Sequence, residues 1–310
     1  MRLRPLALVA ALLAAVSLAG CSGSPTGAAT GSGATAAASG CGIAPSLEPG
    51  TSTPLSLSVD GQPRAFTVHV PPAMDATTPT PLILAFAGYR MPTGQLEQLS
   101  DLDDSSAVVI YPQPASTAKG VGWQGAPYSS GADDVAFTSA LLDDVESRLC
   151  IDTARVFAAG ISNGGGFVSL LSCALPERIA AFAVVAGAIY PETNPPCPSA
   201  PPVPVIEFHG TGDDVIPFVG GTRHGAAVAP VSTWVTEMAT RNGCGADPES
   251  TEVADGVEKQ TWTGCRDRGA LVHYRIDRGG HVWPGAAGSA ETGLSATALI
   301  ETFFTAHPLP

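Results

Sequence analysis

The sequence predicts an α/β fold: a mainly parallel sheet covered by helices on both faces. Three observations point there. Short, nearly unbroken apolar runs, Pro81–Ala87, Ala107–Tyr111, Ile179–Gly187 and Val203–Phe208, suit strands buried on both faces. Stretches with helical spacing of apolar residues lie between them, and strands alternating with helices imply parallel pairing through crossovers. The composition permits such a core, because 310 residues with 45% hydrophobic and 14% charged side chains can fill one domain of about 250 residues.

In chain order, Leu55–Val59 and Ala65–Val70 alternate apolar with polar residues around Asp60-Gly61, the pattern of a hairpin, and Pro71-Pro72 ends it. After the runs at 81 and 107, Val135, Phe137, Leu141, Leu142, Val145 and Leu149 recur at helical spacing between Asp133 and Leu149. That helix leads to a strand, Val156–Ala159, and a second helical pattern from Gly165. Pro191–Pro204 is a Pro-rich crossing without regular pattern. A helix is expected over Ala226–Asn242, short strands over Lys259–Thr263 and Leu271–Asp277, and a last amphipathic helix over Leu294–Phe304.

The N-terminus has a different character. Arg2 and Arg4 precede an apolar run, Leu6–Val16, that is too short to span a membrane, and Leu18-Ala19-Gly20-Cys21 follows. Residues 1–20 therefore read as a signal peptide ending in a lipobox, with Cys21 lipidated as the mature N-terminus. From 22 to 40 every residue is Gly, Ser, Ala or Thr except Pro25, so 21–40 should be a flexible tether and 41–310 a single domain. The expected location is the outer face of the cell membrane or the medium, with attachment through the lipid alone. Without Arg2 and Arg4 the formal charge of −13 becomes −15, which repels nucleic acid and offers no polybasic patch for anionic lipid. With Cys21 set aside, six cysteines remain, an even number suited to disulfides in an exported chain. Cys244 with Cys265, Cys173 with Cys197 and Cys41 with Cys150 are the expected pairs. No C-x-x-C or close His/Cys spacing suggests zinc.

The chemistry centres on Gly160-Ile161-Ser162-Asn163-Gly164, set between a strand and a helix. In that context Gly-x-Ser-x-Gly is a nucleophile elbow: the serine takes strained backbone angles, and the residues two before and two after it must lack bulk. Gly165 and Gly166 would add slack. A serine hydroxyl needs a base, normally a histidine oriented by a carboxylate. The loop after Val203–Phe208 carries Asp213 and Asp214, and the loop after Leu271–Asp277 carries His281, so the order Ser, Asp, His is that of α/β-hydrolases. Spacing alone leaves Asp213 and Asp214 both open. His69 and His273 read as structural, His209 as the start of the acid loop, and His224 and His307 as surface residues. Oxyanion donors would be the backbone N–H of Asn163 and one from Gly88 or Tyr89.

Together, G-I-S-N-G-G-G, C-I-D-T-A-R-V-F, H-G-T-G-D-D-V-I-P and G-G-H-V-W-P-G resemble the family of secreted feruloyl esterases and polyhydroxybutyrate depolymerase-like esterases, from about Cys41 to Phe304. The resemblance implies an α/β-hydrolase that cleaves carboxylic esters without metal or cofactor. It matches Ser162 to the nucleophile, Asp213 rather than Asp214 to the acid, and His281 to the base. It also implies that Trp123 stands beside the site, where with Trp283 it would wall an acyl group. One departure is Ala87-Gly88-Tyr89, where the family commonly has His-Gly. Feruloyl or acetyl groups on polysaccharide are the expected substrates, then short hydroxyalkanoate esters, and a monomer is expected. The alternatives are an envelope acyltransferase on the same fold and a non-catalytic binding protein. The second gives no reason to keep Ser162, Asp213 and His281 in order.

Overall fold

The Asp60-Gly61 turn, with both residues at positive φ (49° and 74°), closes a hairpin of β1 (Thr51–Val59) and β2 (Gln62–Val70). The computed structural model describes residues 39–43, 47–286 and 293–310. The expected leader, Cys21 and the tether up to residue 38 lie outside them. Both strands run further than the alternation suggested and take in Pro54 and Pro63. Prolines are tolerated here because β1 is the sheet's edge and β2 pairs with its inner neighbour only over Phe66–His69.

The remaining elements follow in order. They are β3 (Thr80–Phe86), α1 (Thr93–Ser100), β4 (Val108–Pro112), a ribbon of β5 (Ser116–Thr117) and β6 (Gly120–Val121), and α2 (Asp134–Arg148). Next come β7 (Ile151–Ile161), α3 (Asn163–Ala174), β8 (Ala181–Val185), β9 (Pro204–Gly210), β10 (Gly221–Arg223), β11 (Ala226–Val228) and α4 (Val231–Asn242). The chain ends with β12 (Glu249–Ala254), β13 (Val257–Trp262), β14 (Ala270–Ile276) and α5 (Ala296–Ala306). The large sheet has the order β1-β2-β4-β3-β7-β8-β9-β14-β13-β12. Its six central strands, β4 to β14, pair in parallel, and antiparallel strands finish both edges.

Three differences from the expected elements have local causes. Ala226-Ala227-Val228 is a strand of a small hairpin, turned at Gly225 (φ 77°), and the helix starts only after Pro230. β12 has no buried residue to mark a period, since Glu249–Val253 are all exposed. α1 buries only Thr93, Leu96 and Ser100, too few to write a helical stripe.

The central strands are buried on both faces, and their alternate residues divide between two cores. Leu82, Leu84, Phe86, Val156, Ala158, Phe182 and Val184 pack beneath α2, α3 and α4, while Ile83, Ala85, Phe157, Ala159, Ala183 and Val185 pack beneath α1 and α5. On the latter face Phe157 stacks on Phe304 with centroids 4.6 Å apart. Disulfides join Cys41 to Cys150, Cys173 to Cys197 and Cys244 to Cys265. The first spans 109 residues and pins the start of the domain to the start of β7. No helix among the described residues is long and apolar enough to cross a membrane.

Candidate active site

Ser162 stands between β7 and α3, as the cap of α3, at φ 59° and ψ −120°, a backbone conformation that costs a non-glycine residue free energy. Its surroundings hold it there. Ser162 N–H donates to the Val185 carbonyl, and its own carbonyl accepts from Gly166 and Ala188 N–H, each at 2.9 Å. Strand and helix pass at backbone contact: a Cβ on Gly164 would lie 2.0 Å from the Phe86 carbonyl oxygen, and one on Gly160 2.6 Å from that of Gly164. Gly166 is no slack, because a Cβ there would lie 2.3 Å from the Ala188 carbonyl oxygen.

The acid and base loops are fastened to each other by backbone. Thr211 N–H donates to the Ile276 carbonyl (2.8 Å), Gly212 N–H to that of Gly279 (2.9 Å), and Arg278 N–H to the Thr211 hydroxyl (2.8 Å). Asp213 Oδ2 thereby lies 2.7 Å from His281 Nδ1, and Asp213 Oδ1 accepts from Val215 (2.9 Å) and Ile216 N–H (2.7 Å). Asp213 is buried and its neighbour Asp214 exposed, so the residue facing the histidine is Asp213. Burial works against ionisation of Asp213, yet hydrogen bonds from His209 and His281 hold its carboxyl well below the usual range. Ser162, Asp213 and His281 all follow parallel strands at the same sheet edge. Among the described residues neither the Ser162 hydroxyl nor His281 Nε2 makes a hydrogen bond. The structure therefore bonds the acid to the base and shows no bond from either to the serine; catalytic hydrogen bonds are often long or unformed in free enzymes.

Two backbone segments border Ser162. Asn163 opens α3, so its N–H has no partner within the helix, and its side-chain oxygen accepts from Trp123 N–H at 2.9 Å. The Ala87–Tyr89 loop passes so close that a Cβ on Gly88 would lie 3.2 Å from Ser162 Cβ. These are the places from which Asn163 and Tyr89 N–H groups could meet an oxyanion.

The two tryptophans do not wall the site. Trp123 is fully buried, stacked on Phe167 (5.2 Å) and edge-on to Phe86 (5.1 Å), and its indole N–H donates to the Ala87 carbonyl at 2.9 Å. It bridges the two segments that border Ser162 from behind. Gln124, next to it, is gripped by Asp134, which pairs with Arg64 at 2.6 Å. Trp283 is 2% exposed, in the core beneath α5, with its N–H on Thr297. An aromatic surface is supplied instead by Tyr89, expected only as an oxyanion donor, by His224, and by Tyr128, which the sequence did not single out. Tyr89 and Tyr128, both half-buried, stand with centroids 4.2 Å apart, and the exposed His224 ring on the β10–β11 hairpin lies 4.5 Å from Tyr128. A Cβ on Gly122 would meet both the Tyr128 ring and the Asn163 side chain, so this cluster adjoins the elbow. Burial raises the Tyr128 hydroxyl, which stays protonated. Among the described residues, His69, Glu97 and Asp103 bring ligand-type atoms within 4.8 Å, but Ser52 and Tyr111 already hydrogen-bond this group, and it lies outside the loops around Ser162.

No family model matches the sequence. Feruloyl esterase B of Piromyces equi is 28% identical over 230 residues, which is 70% of this chain and 42% of that protein, so the match spans less than half of that relative. A probable feruloyl esterase C of Aspergillus niger is 28% identical over 287 residues, 86% of this chain and 91% of the relative. Among solved structures, an acetyl xylan esterase from Aspergillus awamori superposes with a TM-score of 0.56 at 16% identity, covering 81% of this chain and 98% of that one, a likeness of fold. Fold and relatives together define an α/β-hydrolase that acts as a carboxylic ester hydrolase. Within that class, relatives that share most of this chain's length are named feruloyl esterases.

Proposed function

We propose that this is an exported serine esterase that releases aromatic acyl groups, feruloyl first among them, from polysaccharide. The observation that carries the reading is the 2.7 Å Asp213–His281 bond at the sheet edge where the elbow presents Ser162. Ser162 Oγ attacks the ester carbonyl while His281 Nε2 takes its proton, and Asp213 keeps the histidine in the tautomer with hydrogen on Nδ1. Asn163 and Tyr89 N–H groups receive the oxyanion. His281 then gives the proton to the leaving alcohol, and water repeats the sequence on the acyl-enzyme. Tyr89, Tyr128 and His224 offer the acyl ring an aromatic surface, and the names of the relatives favour a feruloyl group.

The test compares p-nitrophenyl acetate, methyl ferulate and a hydroxybutyrate oligomer. The expected preference is for methyl ferulate. Tyr128→Ala should raise its KM about tenfold, the worth of one aromatic contact, and change that for p-nitrophenyl acetate by less than about twofold. An equal change on both esters would remove Tyr128 from acyl recognition.

Disulfides persist in oxidising compartments, and three of them accord with export. We assign residues 1–20 to a cleaved leader, Cys21 to lipidation and 21–40 to a tether for the 41–310 domain. Mass spectrometry of the mature protein should find a diacylglyceryl-modified Cys21 as the first residue. An unmodified terminus elsewhere would overturn the anchor.

A further inference from the structure

Behind the Asp213–His281 pair, a chain of polar side chains enters the core between β9 and β14. Glu207, His209 and His273 are each at most 3% exposed. Glu207 Oε2 bonds His273 Nδ1, and Glu207 Oε1 lies 3.1 Å from His209 Nδ1. His209 Nε2 lies 2.9 Å from the Ile216 carbonyl oxygen and 3.3 Å from Asp213 Oδ2. That Oδ2 is the same atom that meets His281 Nδ1 at 2.7 Å. One carboxylate oxygen therefore serves two imidazoles.

Hydrogen-bond chemistry decides the state of His209. Its Nδ1 faces a carboxylate, and its Nε2 faces a carbonyl and a second carboxylate, so both nitrogens meet only acceptors. A neutral imidazole would turn a lone pair toward one of those oxygens, whereas an imidazolium donates from both nitrogens. Burial opposes the charge, but hydrogen bonds to Asp213 and Glu207 prevail and push the His209 pKa up to about 10. Glu207 is held below the usual carboxylate range, also against burial, by His273 and His209. Two buried carboxylates need a cation nearby. Among the described residues no Lys or Arg bonds either one: Arg275, which pairs with His209 across β14 and β9, turns its guanidinium to Asp277 at 2.8 Å.

We propose that His209 is a positioning residue held as an imidazolium, which orients Asp213 Oδ2 and sets the pH at which the Asp213–His281 pair becomes active. This rests on the roles given above to Ser162, Asp213 and His281. His209 does not touch substrate. Its charge opposes a second positive charge on the same oxygen, so activity extends to lower pH than it would with a neutral group at that position.

His209→Gln keeps a donor toward Asp213 and removes the charge. The acid limb of its kcat/KM profile on p-nitrophenyl butyrate should move to higher pH by on the order of one unit. A uniform fall in kcat/KM with the acid limb unmoved would overturn the proposal. Should the variant lose its near-ultraviolet circular dichroism, nitrogen-15 histidine NMR of the wild-type protein decides instead. Two N–H signals on His209, unchanged across the acidic to neutral range, are expected; an unprotonated ring nitrogen would refute it. The NMR readout needs no turnover. Failure of the esterase reading is seen separately, as hydrolysis that persists without Ser162.

Discussion

Ser162→Ala is expected to lower kcat on p-nitrophenyl acetate and methyl ferulate by about 10⁴- to 10⁶-fold. Gly160–Gly164 carries no other nucleophilic side chain to take over attack, and water lacks both the position and the activation of the serine hydroxyl. KM should change little, since the proposed oxyanion donors are backbone N–H groups and the aromatic surface is untouched. The elbow itself should survive. Its φ of 59° is imposed by hydrogen bonds to Val185, Gly166 and Ala188, and these involve only the backbone of residue 162. The variant should therefore keep the wild-type denaturation midpoint while losing the burst of p-nitrophenol that marks acyl-enzyme formation. Retention of more than about one hundredth of the turnover would show that Ser162 is not the nucleophile. If wild type formed a new ester instead of free acid, the acyltransferase alternative would replace hydrolysis.

The parts of this molecule that were legible in the sequence are those where burial writes a pattern. Strands covered on both faces, such as Leu82–Phe86 and Ala181–Val185, must be apolar at every position, and the glycines around Ser162 mark where backbones touch. What stayed hidden depends on which side of an element faces the core. Trp123 and Trp283 near site motifs read as substrate contacts, yet a large indole whose N–H finds a carbonyl or hydroxyl is as well suited to an interior brace. Tyr128 gives no local signal, because its place beside Tyr89 and His224 comes from the meeting of three segments distant in sequence. Glu207 did carry one. An acid in the middle of the otherwise apolar Val203–Phe208 requires a buried partner, and the nearest histidine in sequence, His209, is on the same strand face.

Asp213→Asn should cost about 10⁴-fold in kcat, nearly as much as losing the serine, with the fold intact. The reason is the proton inventory around two oxygens. Oδ1 accepts from Val215 and Ile216 N–H, and Oδ2 faces His281 Nδ1 and His209 Nε2. If the asparagine oxygen stays with the loop N–H groups, its NH₂ points at both imidazoles. His281 must then present an Nδ1 lone pair and carry its hydrogen on Nε2, the nitrogen that should receive the serine proton. If the amide flips, NH₂ opposes the N–H groups of Val215 and Ile216, and the loop fastened to Gly279 and Ile276 has to deform. Either way the base is in the wrong state or the wrong place, while Ser162 and the oxyanion donors are unaltered. Asp214→Asn, at the exposed neighbour, should change kcat by less than about twofold and is the matched control. A loss of under about tenfold in Asp213→Asn would mean that His281 does not depend on Asp213 for its tautomer, and equal losses in both variants would point to loop stability instead of proton placement.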